Sequence, residues 1–67
     1  MNTPPMRQHV LRFRSLFDPG RGYAFPCDRA GRVDLNRLSA RARENYLHAR
    51  SVVGRELSAP AVELREE

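Results

Sequence analysis

Apolar or small residues fall at Leu35, Leu38, Ala42, Tyr46, Ala49 and Val53, three or four apart, and Arg37, Arg41, Arg43, Glu44, Arg50 and Arg55 fill the gaps. That spacing is the repeat of one helix face, and it predicts a helix over Val33 to Leu57. Asp34 suits the N-cap, where its carboxylate accepts from the orphan amides of the first turn. Val33 and Leu38 stand at the spacing of a hydrophobic staple. At the far end two stops remain open: Gly54 as a left-handed cap, or a run to Leu57 halted before Pro60. At about 100° per residue, Leu47 falls opposite Leu38, between Arg43 and Arg50. It reads first as a single exposed leucine and second as a contact point for another chain.

Upstream the period changes to two. Leu11, Phe13 and Phe17 alternate with Arg12 and Arg14, which predicts a strand from His9 to Phe17. Asp18-Pro19-Gly20-Arg21 is a turn sequence, with glycine placed for the positive φ of a type II turn. Tyr23, Phe25 and Cys27 make the aromatic face of a second strand, and Pro26 requires a backbone position that faces outward or ends the strand. Asp28-Arg29-Ala30-Gly31 predicts a short hairpin loop with Gly31 left-handed, leading to a very short third strand at Arg32-Val33. The elements give an α+β fold: a small antiparallel two- or three-stranded sheet packed on one C-terminal helix (β-β-β-α), sharing one core in two layers.

Domain organisation follows. Residues 1–6 carry two prolines and no periodicity, and are expected to be a disordered lead-in. Residues 7–57 form a single small α+β domain. Ser58-Ala59-Pro60-Ala61 reads as a linker, and 58–67 as a frayed acidic tail. Sixty-seven residues hold one domain at most, and a chain this short is marginal by size alone. Its single cysteine rules out an intrachain disulfide. No basic start followed by an apolar run marks an export signal, and no segment approaches the roughly 20 apolar residues of a membrane span. A cytoplasmic protein is therefore expected.

Charge changes the picture in one respect. The net charge is +4, and all twelve basic residues are arginine. Arginine suits phosphate and carboxylate recognition, although a GC-rich genome also favours it. Residues 7–57 hold eleven arginines against five acids, whereas 58–67 hold Arg65 against three glutamates. Arg12, Arg14, Arg21, Arg29, Arg32, Arg37 and Arg41 are the candidate phosphate contacts for a nucleic-acid backbone. Tyr23 and Phe25 are needed in the core, so binding would be phosphate-led rather than base-stacking.

Other chemistry finds little support. His9, His48, Cys27 and Asp28 lack the spacing of a metal site. Cys27, on the aromatic side of its strand, reads as a small buried hydrophobe without an activating base. Gly20-Arg21-Gly22 reads as turn chemistry before it reads as a phosphate cradle. No catalytic residue, cofactor or small-molecule substrate is indicated.

The run Phe17-Asp18-Pro19-Gly20-Arg21-Gly22-Tyr23-Ala24-Phe25-Pro26-Cys27-Asp28, with Arg41-Ala42-Arg43-Glu44-Asn45-Tyr46-Leu47, resembles short uncharacterised proteins of proteobacterial genomes over residues 10–57 or so. The resemblance implies a bacterial cytoplasmic origin and no particular activity. Two functions follow from the residues. The first is a non-enzymatic interaction protein acting through self-association or a protein partner, with Leu47, Arg43 and Arg50 as the contact. The second is a basic nucleic-acid-binding accessory protein.

Overall fold

The structure, a computed structural model, describes residues 7–66. The lead-in expected for residues 1–6, and Glu67, lie outside the described residues. Strands β1 (Arg7–Arg14) and β2 (Gly22–Cys27) are followed by a 3-10 turn (Leu35–Arg37), helix α1 (Ala40–Ser51) and strand β3 (Ala61–Glu66). The three strands form one antiparallel sheet in the order β2-β1-β3. The fold is thus small α+β, a three-stranded sheet with one helix. The third strand, however, is not Arg32-Val33 but Ala61–Glu66, so it follows the helix. The segment expected to fray is a strand of the sheet.

The reason lies in Ser58. Its N–H donates to the Arg14 carbonyl (2.8 Å), and its Oγ accepts from the Arg14 N–H (3.4 Å). This two-way tie lays the chain beside the end of β1, and β3 continues along it. The register sets Ala61 opposite Arg12, Val62 opposite Leu11, Glu63 opposite Val10 and Leu64 opposite His9.

The helix is shorter than its periodicity. Asp34 does act as a cap, its carboxylate accepting from the Asn36 N–H (3.0 Å), but it caps only the 3-10 turn. Leu38 is extended, and Ser39 starts α1 by accepting from the Ala42 N–H (3.1 Å). α1 ends at Ser51. Gly54 adopts φ 90° in the turn beyond it, where the Val52 carbonyl accepts from the amides of Arg55, Glu56 and Leu57. The loop expected at Asp28–Gly31 is present, with Gly31 at φ 88°. It closes through Gly31 N–H to Asp28 O (2.9 Å) and then feeds the 3-10 turn instead of a strand. The Asp18–Arg21 turn closes through the Arg21 N–H to the Asp18 carbonyl (2.9 Å). Gly20 is not among the positive-φ glycines, so the turn is not type II.

The core is one layer between sheet and helix. Leu11, Phe13, Phe25, Ala49, Val52 and Leu57 are buried together, with Tyr23, Cys27, Val33, Leu38, Tyr46 and Val53 packed around them. Phe13 is wholly enclosed. Phe25 meets Tyr46 edge-on at 5.2 Å, and Phe13 meets Phe25 edge-on at 5.9 Å. These are geometries in which the positive ring edge faces a π surface. Ala49, the one buried residue of α1, lets the helix come close enough for Tyr46 to reach both phenylalanines.

Candidate functional site

β1 is central, so β2 and β3 each leave one backbone edge unpaired by the sheet. Which groups point outward follows from two hydrogen bonds. The Ser15 N–H donates to the Arg21 carbonyl on the β2 side, and the Leu16 N–H donates to the Glu56 carbonyl on the β3 side. Alternate residues of an antiparallel strand turn their backbone groups to opposite neighbours. Odd residues of β1 therefore face β2 and even residues face β3. Carried through the register, Ala61, Glu63 and Arg65 bond to β1, while the N–H and C=O of Val62 and Leu64 point away from the sheet. On β2 the outward positions are Gly22, Ala24 and Pro26. Pro26 has no N–H to offer, as its place on an edge requires.

The outward edge of β3 is also apolar. Val62 and Leu64 are on the core face, opposite Leu11 and His9, but α1 packs toward β2 and does not cover them. They remain 41% and 50% exposed. Gly31 lies against Val62, so that an added Cβ there would stand 3.0 Å from Val62 Cγ2. The loop after β2 therefore touches this strand on its inner side.

On the opposite face Glu63 anchors β3 to β1. Its Oε1 accepts from Arg12 Nε (2.9 Å), and its Oε2 from Arg14 Nη2 (2.7 Å). The Arg14 hydrogen bond first, and the Arg12 bond second, hold the Glu63 carboxyl below the usual carboxylate range. Val10, opposite Glu63 and Pro26, is buried on this face although it is not part of the core cluster.

Of the arginines expected to contact phosphate, Arg12, Arg14 and Arg21 line one shallow hollow beside the Asp18–Arg21 turn, and Arg32 and Arg37 line a second beside Cys27. Arg12 and Arg14 share Glu63, and Arg32 pairs with Asp28 (3.1 Å). Asp28 also accepts from the Arg32 N–H at 2.8 Å, and this backbone bond is the largest of the effects that lower its pKa. The side chains of Arg21, Arg29, Arg37 and Arg41 have no hydrogen bond or ion pair within the described residues. Arg21 and Arg29 flank opposite ends of β2, which separates them by about 20 Å for a six-residue strand.

Leu47 is exposed on α1, as its position in the period implies. Its two flanking arginines are turned onto their own chain. Arg43 Nε donates to the Leu35 carbonyl (3.3 Å), and Arg50 donates to the Tyr46 hydroxyl (3.1 Å) with its guanidinium 5.8 Å from the ring centroid.

Cys27 lines a shallow cleft with Asp28, Val33, Arg37 and Leu38. It is half-buried, and burial, with Asp28 adding to it, pushes its thiol up. A raised pKa disfavours the thiolate that nucleophilic chemistry needs. His48 is exposed and sits edge-on to Tyr23 at 6.5 Å. Among the described residues no three His, Cys, Asp or Glu side chains gather as metal ligands, and no helix is long and apolar enough to cross a membrane.

Comparison of the chain with protein-family models, curated proteins and solved structures finds no match. The surface on β3 escapes a reading for helices because Glu63 and Glu66 look like a solvated tail. The signal that marks it is the alternation Val62-Glu63-Leu64-Arg65 directly after Pro60.

Proposed function

We propose that this chain is a small non-enzymatic interaction protein that joins a protein partner, or another copy of itself, along the outer edge of β3. The observation that carries this reading is the coincidence of outward backbone groups with exposed Val62 and Leu64 on one edge. Natural proteins blunt such edges with proline, inward charges or bulges, because a bare strand is a template for another strand. Main-chain hydrogen bonds then supply affinity, and alternate side chains supply selectivity. The unactivated Cys27 thiol, and carboxylates tied up in local pairs at Asp28 and Glu63, support a role without catalysis. The single cysteine also suits a reducing bacterial cytoplasm.

A photo-reactive residue placed at Val62, and in a second variant at Ala24, tests this in the intact chain. Crosslinks to protein from position 62 but not from position 24 are the expected result. Equal crosslinking from both positions would remove the preference for β3, and none from 62 together with salt-sensitive binding to mixed oligonucleotides would favour the arginine-led nucleic-acid reading.

A further inference from the structure

The reading of β3 as a joining edge leaves its occupant open. Resting on that reading, we infer that the occupant is a second copy of this chain, its β3 running antiparallel to the first across a two-fold axis at Leu64. The result is a continuous six-stranded sheet.

The register is decided by charge. A two-fold axis perpendicular to the sheet keeps each face on its own side, so residues that meet must share parity. With the axis at Leu64, the two Leu64 side chains meet. Glu63 then faces the second copy's Arg65, and Arg65 faces the second copy's Glu63. The Arg12–Glu63–Arg14 ion pairs are thereby extended across the join in both directions. Moving the axis to Glu63 sets Val62 against Leu64 but brings the two Glu63 side chains directly opposite each other, and like charges so placed destabilise a pair. About an axis at Leu64, β3 is therefore self-complementary at its centre: apolar at the axis, with opposite charges one residue to either side and Val62 opposite the second copy's Glu66 beyond them.

The backbone agrees. Val62 and Leu64 turn their N–H and C=O outward, so this pairing consumes groups the intrachain ladder does not use. The other edge of the sheet lacks a donor at Pro26, which stops the assembly at two copies. Leu64, half-exposed in one chain, would be covered by its own counterpart.

Sedimentation of the full chain over a wide concentration series tests the inference, with amide hydrogen exchange as a check on the fold. Val62→Pro removes an outward N–H while leaving the bonds from Ala61 and Glu63 to β1. It is expected to weaken self-association at least about tenfold, with exchange protection in β1 and β2 retained. Arg65→Glu alone weakens the dimer by opposing two acids. A wild-type dimer indifferent to both V62P and R65E overturns the inference, since the contact then lies elsewhere. A wild-type chain that stays monomeric throughout overturns it too. In that case, protection of the Val62 and Leu64 amides by an added extended peptide preserves the broader edge-joining reading, and its absence removes both.

Discussion

Along β2 the outward backbone belongs to Gly22, Ala24 and Pro26; along β3 it belongs to Val62, Leu64 and Glu66. The side chains on the core face differ in the same sense. Phe25 is buried under α1, with Tyr23 and Cys27 packed against the core beside it. Val62 and Leu64 extend past the helix and stay half-exposed. One edge has given its apolar side chains to the core and lost a donor to proline, and the other has done neither. A domain with a single helix can cover only part of even a three-stranded sheet, so one edge is left to be completed by something else. The difference separates a strand that makes the fold from a strand that presents it.

Truncation on each side gives the largest contrast. Phe25→Ala removes a buried ring packed on Phe13 and Tyr46, and should cost about 3–5 kcal/mol. In a marginal domain that is most of the stability. Leu64→Ala removes a side chain half in water, and should cost no more than about 1 kcal/mol in the monomer. Urea titration at low protein concentration compares the two. Equal losses would mean that β3 belongs to the core as fully as β2.

Exchanging the character of the edges is the next test. Pro26→Val restores an outward N–H to β2 at a small stability change, of order 1 kcal/mol or less. Its main effect is on assembly. A sheet with two joinable edges no longer closes at a pair and grows by open-ended addition. Sedimentation should then find species larger than the dimer in P26V and none in the wild type. If P26V sediments like the wild type, proline is not what protects β2.

Where the sequence was legible, it was because side-chain period and local turn chemistry agree. The aromatic face Tyr23-Phe25-Cys27, the strand through Leu11 and Phe13, Gly31 as a left-handed turn residue, and the exposure of Leu47 all follow from spacing of two or of three to four. The period overextends the helix because Leu35, in the 3-10 turn, and Leu38, in the extended link after it, keep the helical spacing, whereas a capping serine, not a hydrophobe, sets the true start. β3 is illegible for a different reason. Its alternation is short and half its residues are charged, so nothing local distinguishes it from a tail. What makes it a strand is tertiary: the tie between Ser58 and Arg14, and the reach of Arg12 and Arg14 to Glu63 across about fifty residues of chain. The candidate edge was illegible with it, since an edge exists only once strand order is known. The arginines are legible as residues but not as a surface, because sequence proximity does not show that Glu63 and Asp28 pair with some of them or that Arg21 comes beside Arg12 and Arg14.

The smallest effect is acid-dependent and distinguishes how the two sides are held. β2 is fixed by rings packed in the core, whereas β3 is tied to β1 in part by the Glu63 carboxylate. Glu63 has a folded pKa below its unfolded one, so its contribution is fully present above the ordinary glutamate range and is lost as pH falls through the depressed folded value. Asp28 is depressed as well, but its partner Arg32 lies four residues away, so acid loosens only its own loop. Comparing wild type with Glu63→Gln separates the two, because the Asp28 effect is common to both chains. At neutral pH the wild type should melt slightly higher, and the gap should close on acidification below the glutamate range. Because the pairs are solvent-exposed, added salt at neutral pH should narrow the gap as well. A gap that persists unchanged in acid would mean that the strand is held by Ser58 and the backbone ladder alone, with the arginine fork on Glu63 adding position but no stability.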